Sequence, residues 1–155
     1  MKKKLIVIIA VVIVAALLIT LKTCAFQRCT NEYTGYELTA NESSARLEIN
    51  GWIYKKLFSH EIIKANIMLD SDSTTLDTSV SGAVLPVPDH KGIRYAVVDI
   101  YDAELNAYCT WKIYFSNDSK AVYMKSAEKE RAFVFCSEDM ELDDCLTLFD
   151  GLIEK

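Results

Sequence analysis

Two histidines are the first candidates for acid–base chemistry in this sequence. His60 and His90 are its only histidines, and each stands beside a carboxylate, Glu61 and Asp89 respectively. A serine or cysteine nucleophile usually needs an imidazole base, so a hydrolase built on this chain would use one of these two residues. Both lie in turn-like segments, which favours solvated loop side chains over a catalytic base.

The segment Asp70-Ser71-Asp72-Ser73-Thr74, which follows an apolar tripeptide, is the second candidate. It resembles the D-x-D-x-T signature of haloacid-dehalogenase-type phosphatases. The resemblance implies covalent phosphoryl transfer, with Asp70 as the nucleophile and Asp72 as the general acid–base group. That family uses a parallel sheet, whereas the segments around Asp70 alternate as antiparallel strands do. We therefore expect a polar turn here and keep an envelope hydrolase, phosphatase-like or histidine-dependent, as the alternative function.

Other catalytic and metal-binding motifs are absent from the sequence. It contains no G-x-S-x-G, no H-E-x-x-H, no glycine-rich phosphate loop and no pair of C-x-x-C motifs. These are the patterns that place a nucleophile, a zinc ion or a phosphate group. We therefore predict no catalytic residue, no metal ligand and no cofactor, and favour a protein that is not an enzyme.

The first 25 residues have the pattern of a membrane anchor. Lysines at 2–4 precede an uncharged run of 17 residues, Leu5 to Leu21, whose only polar member is Thr20. As a helix this run would extend about 26 Å, close to the thickness of a hydrocarbon layer. The leading lysines predict a cytoplasmic N-terminus, with the following domain outside the membrane. This leader resembles those of bacterial envelope proteins.

A secretory signal peptide begins with the same pattern, so a second interpretation stays open. The apolar run is longer than is typical of signal peptides, which favours a retained anchor in contact with the bilayer through residues 5–21. Cleavage after Thr23-Cys24-Ala25 would instead give a secreted protein. We expect a cytoplasmic basic tip and transmembrane anchor at 1–25, a polar linker at 26–44 and an extracytoplasmic β-rich domain at 45–155.

The charge of the chain excludes one class of partner. Residues 1–25 hold four of the 17 basic residues and no acidic residue, so residues 26–155 carry 13 basic and 22 acidic side chains, a net charge of −9. Such a field repels phosphate backbones. We therefore predict no binding to nucleic acid.

Two-residue alternation of apolar and polar side chains begins at residue 45. Asn50-Gly51, a favoured turn dipeptide, predicts a hairpin over 45–58. A Ser/Asp/Thr cluster at 71–79 predicts an interruption of strand structure, followed by a short strand at 82–85. Further strands are predicted over 93–101, 108–115, 121–125 and 131–136.

The closing segment has helical rather than strand periodicity. Leu142, Cys145 and Phe149 recur at spacings of three and four, and Ser137 is placed to cap the helix. The fold class expected is therefore mainly β (α+β), with an N-terminal transmembrane helix. Its domain would be a small antiparallel β-sandwich or open barrel, closed by a C-terminal amphipathic helix.

Alternation along 108–115 separates two faces of one predicted strand. Cys109, Trp111, Ile113 and Phe115 fall on one side, and Tyr108, Lys112 and Tyr114 on the other. We expect the second set to be exposed and to form a possible partner surface, because exposed aromatic rings bind protein or polymer by stacking and burial.

Cysteine spacing suggests one disulfide bond outside the cytoplasm. The chain has five cysteines, and a bond between Cys136 and Cys145 would connect the last strand to the helix that covers it. Taken together, the sequence predicts a single-pass membrane protein whose extracytoplasmic domain binds a protein or an envelope polymer.

Overall fold

A computed structural model describes residues 2–23, 26–38, 43–55, 60–102, 105–126, 128 and 130–153. Residues 24 and 25 of the possible cleavage site lie outside this set, as do residues 39–42 of the expected linker. The elements in chain order are α1 (Lys2–Thr23), β1 (Phe26–Glu37), β2 (Ser44–Lys55), β3 (Glu61–Ser71), β4 (Thr74–Pro86), β5 (Ile93–Asp102), β6 (Ala107–Ser116), β7 (Ala121–Ser126), β8 (Arg131–Cys136) and α2 (Leu142–Leu148).

All eight strands form one closed antiparallel barrel in sequence order. β1 pairs with β8 from Thr34↔Cys136 to Glu37↔Phe133, which closes the sheet. The mainly β, antiparallel class is confirmed, and the sandwich or open barrel is wrong. Closure pairs the two edge strands that an open sheet would leave with unpaired N–H and C=O groups, and eight strands enclose a space that side chains can fill.

Inward-facing side chains form one hydrophobic cluster inside the barrel. Trp111, Phe133 and Phe135 are almost fully buried there, with their rings in contact at centroid distances of 6.2 and 5.9 Å. Leu47, Ile67 and other aliphatic residues complete the interior. The interior is therefore a hydrophobic core.

A smaller core lies outside the barrel, between its wall and the C-terminal segment. Tyr123 stacks on Tyr114 at 5.4 Å, and Phe149 packs on Tyr123 at 5.8 Å. Cys145 and Phe149 are fully buried there. The expected amphipathic helix is thus confirmed as α2, but its N-cap is Glu141, without a side-chain cap bond, and not Ser137.

The expected linker supplies a barrel strand. Residues 26–37 form β1, which pairs with β2 along its length. Cys29, Tyr33 and Glu37 are buried among exposed polar neighbours, so this strand lacks the apolar repeat that marks the later ones. The barrel therefore begins at residue 26, well before the predicted domain start at 45.

The hairpin predicted over 45–58 is also wrong. Asn50-Gly51 lies in the middle of β2, paired to β1 on one side and to β3 on the other. A Cβ on Gly51 would lie 2.2 Å from the Lys64 carbonyl oxygen and 2.4 Å from the Cα of Ala65. Glycine is needed because two backbones approach closely, a role that glycine often has in barrel strands.

Residues 71–79 contain one tight turn and not a long break. Asp72-Ser73 connects β3 to β4, because Ser71 pairs with Thr74. The short strand predicted at 82–85 is the end of the 13-residue β4. In β4 the buried residues Leu76, Val80 and Val84 recur at every fourth position, with intermediate or exposed residues between them.

Helix α1 carries exposed aliphatic side chains over 6–18, the part of it for which side chains are described. No helix within the described residues combines the length and hydropathy that crossing a membrane requires.

Candidate functional site

The two ends of the barrel differ in what they carry. We call the end where β1 begins the proximal end; it also holds the β2–β3, β4–β5 and β6–β7 connections. The opposite, distal end holds the β1–β2, β3–β4, β5–β6 and β7–β8 connections. The topology thus assigns every loop to one end.

Candidate catalytic groups are divided between these ends. His60 precedes β3 and His90 lies between β4 and β5, both at the proximal end, whereas Asp70 and Asp72 lie at the distal end. At the rise of a β-strand, the ten residues from His60 to Asp70 separate them by about 30 Å. These side chains do not form one active site. Asp72 belongs to the two-residue turn, as the polar-turn interpretation expected.

Outside its hydrophobic core, the barrel offers wall surface on which a ligand could bind. The outer wall of β6, β7 and β8 carries a groove of about 890 Å³. We call it the β6–β8 groove, and it is lined by Leu38, Thr110, Lys112, Tyr123, Lys125, Ser126, Glu128, Glu130, Arg131, Ala132 and Ile153. Its volume is within the range of ligand sites in proteins.

Two lysines lie side by side on the wall of this groove. Lys112 on β6 and Lys125 on β7 are directly opposite in the strand register. Adjacent strands lie less than about 5 Å apart, and like charges directly opposite destabilise a sheet. Two ammonium groups on neighbouring strands can both contact one anionic group placed between them.

Apolar surface lies next to the lysines. Tyr123 precedes Lys125 by two residues on the same face of β7 and lines the groove. Leu38 and Ile153 lie against the same outer cluster and line the groove as well. The groove therefore offers both cationic groups and apolar contact area.

A carboxylate borders the groove at its distal rim. Glu128 accepts hydrogen bonds from its own backbone N–H and from the Ser126 hydroxyl at 3.2 Å. The backbone and the side chain of Thr110 also donate hydrogen bonds to it. These bonds stabilise the charged form, so the pKa of Glu128 is lowered, its own backbone N–H being the largest cause. Glu128 is therefore ionised at neutral pH.

A buried ion pair lies next to the distal rim of the β6–β8 groove. Arg131 Nε lies 3.8 Å from Oε1 of Glu37, which is only 1% exposed. Arg131 Nη1 also donates to the Ser73 carbonyl oxygen at 2.6 Å, and the Ser73 hydroxyl donates to Glu37. This cluster joins β1, β8 and the β3–β4 turn, and it positions the start of β8 beside the groove.

Tyr108, Lys112 and Tyr114, the predicted partner surface, lie on the outer face of β6 but have different surroundings. Tyr108 is 72% exposed and contacts Tyr101 edge to face at 5.4 Å. Lys112 is exposed and lines the groove. Tyr114 is only 8% exposed, because Tyr95 and Tyr123 stack against it. The expectation that Tyr114 is exposed is therefore wrong.

Sequence reasoning missed Lys125, Glu128 and Arg131 in this site. Lys125 becomes significant only when the β6–β7 register places it opposite Lys112. The available signal was Asn117-Asp118-Ser119, a polar turn between the strands predicted at 108–115 and 121–125, from which that register follows.

Cys136 and Cys145, the residues of the expected disulfide, are free thiols in this structure, and both belong to the outer core. The Cys145 thiol donates to the Phe135 carbonyl oxygen at 3.1 Å and lies within hydrogen-bonding reach of the Cys136 sulfur. Burial raises the pKa of Cys145 to about 12, and also raises that of Cys136.

No group of histidine, cysteine, aspartate or glutamate residues suited to a metal ion occurs in the part of the chain that the structure describes. Comparison with known proteins finds no matching family, no matching curated protein and no matching solved structure. Function must therefore be inferred from the chemistry of the groove itself.

Proposed function

We propose that this protein is a membrane-tethered, extracytoplasmic binding module whose ligand occupies the β6–β8 groove and places an anionic group between Lys112 and Lys125. The observation that carries the proposal is the direct opposition of these two lysines on a groove wall that also has apolar surface. A non-catalytic role is supported by the separation of the histidines from Asp70 and Asp72 at opposite ends of the barrel.

Tethering is proposed from the sequence of the N-terminal segment. The uncharged run from Leu5 to Leu21 extends beyond the part of α1 for which side chains are described. Within that part, residues 6–18, the large aliphatic side chains are all at least 50% exposed, and exposed apolar surface of this kind favours a lipid environment. Lysines at 2–4 support a cytoplasmic N-terminus.

Orientation of the binding surface follows from the tether. β1 begins three residues after α1 ends, so a tethered barrel has its proximal end towards the bilayer. The distal end, with Tyr108, Glu128 and the Glu37–Arg131 pair, then faces away from the membrane. A polymer or protein outside the membrane would have access to the groove from its distal rim.

A titration followed by NMR tests the binding site. We expect inorganic phosphate and poly-glutamate, added to isotope-labelled full-length protein, to shift the backbone amides of β6 and β7 in a saturable way. Replacing Lys112 by Gln should weaken both effects about tenfold, as expected for the loss of one charge-assisted contact. Lys64→Gln is the matched control, since Lys64 is an exposed lysine on the outer face of β3. Equal weakening by both substitutions, or no saturable shift, would contradict the proposed site.

Fractionation tests the tether. We expect the full-length protein to remain with membranes after carbonate extraction and to be protease-sensitive from the outside only. Val12→Asp should release it, because a carboxylate in the middle of a spanning helix is unfavourable by about 3 kcal/mol. Val97→Asp, at an exposed position of β5, should leave it membrane-bound. Intact mass distinguishes the retained anchor from a chain cleaved after Ala25, and recovery of the uncleaved chain from the cytosol would contradict the tether.

A further inference from the structure

Cys136 and Cys145 form the strongest cluster of reactive groups outside the groove. Cys136 is the last residue of β8, and Cys145 lies in the middle of α2. Both belong to the outer core, together with Phe149 and Tyr123. The bond from the Cys145 thiol to the Phe135 carbonyl, at 3.1 Å, holds its sulfur beside the backbone that carries Cys136.

We propose that these two residues are a disulfide-forming site, at which a small-molecule disulfide oxidises the pair and links α2 covalently to β8. This reaction does not depend on what binds in the β6–β8 groove. The 3.1 Å bond from the Cys145 thiol to the Phe135 carbonyl oxygen places the Cys145 sulfur beside the peptide bond that leads to Cys136, and a disulfide requires such proximity of the two residues.

One residue of the pair borders the protein surface. Cys136 is 7% exposed and lines a surface groove of about 570 Å³ with Tyr36, Met140 and Leu142, whereas Cys145 is fully buried. The order of reaction follows from this difference. The Cys136 thiolate attacks one sulfur of the disulfide reagent, which forms a mixed disulfide and releases the first thiol.

The second step closes the protein disulfide. The Cys145 thiolate attacks the Cys136 sulfur, the mixed disulfide breaks, and the second thiol of the reagent leaves. In total the two cysteines lose two electrons and two protons, and one reagent disulfide becomes two thiols. Since burial raises the pKa of both cysteines, the rate should increase with pH throughout the range below 9.

A covalent link would matter because α2 is short. It has seven residues, and isolated helices of this length are unstable in water. Within α2 only Cys145 is fully buried, and Phe149 follows directly at its C-cap. The segment packs against the barrel wall on one side only, and a disulfide would restrict its detachment.

Peptide mapping tests the proposal directly. The tryptic peptide 132–155 contains Cys136 and Cys145 and no other cysteine, and Glu138 and Glu141 lie between them. Full-length protein equilibrated with oxidised glutathione at pH 8.5 should yield this peptide lighter by two hydrogens. Cleavage after the glutamates should leave its two halves joined until a reductant is added. A peptide that stays reduced, or carries glutathione on Cys136 alone, would overturn the proposal.

Stability provides an independent measurement. The oxidised wild-type protein should melt about 5 °C or more above the reduced protein, as expected for closing a short loop. Cys145→Ser should abolish this difference, whereas Cys109→Ser, which replaces a cysteine of the barrel interior, should preserve it. The wild-type comparison stands even if a variant fails to fold. An oxidised protein that melts at or below the reduced one would overturn the stabilising role assigned to the bond.

Discussion

The conformation and exposure of individual residues in this barrel depend as much on the neighbouring strands as on the conformational preference of each residue. Gly51 lies in a dipeptide that usually forms turns, yet it occupies the middle of a 12-residue strand. The reason is the approach of β3, whose backbone occupies the space that a side chain would need. Tyr114 shows the same principle on the outer wall, where stacking partners from other strands bury a residue that its own strand would expose.

Replacing Gly51 by Ala should destabilise the protein by about 3 kcal/mol or more, because the new methyl group overlaps the Lys64 carbonyl oxygen. Gly92→Ala is the matched control. Gly92 has φ +91° and no heavy atom within 4 Å of a built Cβ, so the change introduces only backbone strain of about 1 to 2 kcal/mol. Urea unfolding of both variants measures the difference. A smaller loss for Gly51→Ala than for Gly92→Ala would contradict the close backbone approach.

The buried thiol of Cys145 should make stability depend on pH above neutrality. Its pKa is raised from 9.0 to about 12 in the folded protein, so the folded state keeps a proton that the unfolded chain releases. The stabilisation is complete below pH 9 and is lost as the pH rises towards 12. Its slope is at most about 1.4 kcal/mol per pH unit.

Urea unfolding of reduced protein between pH 8 and 11.5 measures this effect. Cys145→Ala should show a flatter fall in unfolding free energy over that interval, whatever its absolute stability. Identical slopes for the two proteins would show that Cys145 is not held in its protonated form.

Among the elements, β1 and α2 differ most in how they are held. β1 pairs with both β2 and β8, and its buried Glu37 connects it to β8 and to the β3–β4 turn. α2 packs on one side only, against the outer wall of the barrel. Detachment of α2 should therefore require less free energy than opening of the barrel.

Glu37→Gln should lower the unfolding free energy by about 2 to 3 kcal/mol, because it leaves the Arg131 guanidinium without its buried carboxylate. Glu32→Gln on the same strand is the control. Glu32 is bonded to Arg46 at 2.6 Å, but both side chains are more than 60% exposed, and such pairs contribute less than about 1 kcal/mol. Thermal or urea unfolding compares the two, and equal losses would contradict a structural role for the Glu37–Arg131 pair.

At the scale of the whole molecule, closure of the barrel is the feature with the widest consequences. It encloses the hydrophobic core, and it separates the candidate catalytic groups between two ends. The same closure requires Thr34 to pair with Cys136, about one hundred positions later in the chain.

Folding should accordingly be slow, since strand pairings of long sequence separation require costly loop closure. We expect refolding in the millisecond-to-second range typical of barrels with non-local contacts. Fluorescence of Trp111, which is buried in the core, reports the reaction in a Trp52→Phe variant that removes the exposed second tryptophan. Refolding within microseconds would contradict rate limitation by closure.

Sequence patterns were sufficient to predict the strands β5 to β8, the inward and outward faces of β6 and the apolar side of α2. They were sufficient because each depends on the period of a single element, which neighbouring residues reveal. Other features depend instead on which strands pair, in what register, and which side chains pack on the outer wall. They are the strand β1, the closed form of the barrel, the position of Gly51 within a strand, the burial of Tyr114 and the opposition of Lys112 and Lys125. Those relations join residues on different strands, so the period of a single strand does not reveal them, and the pairing of β1 with β8 joins residues about one hundred positions apart.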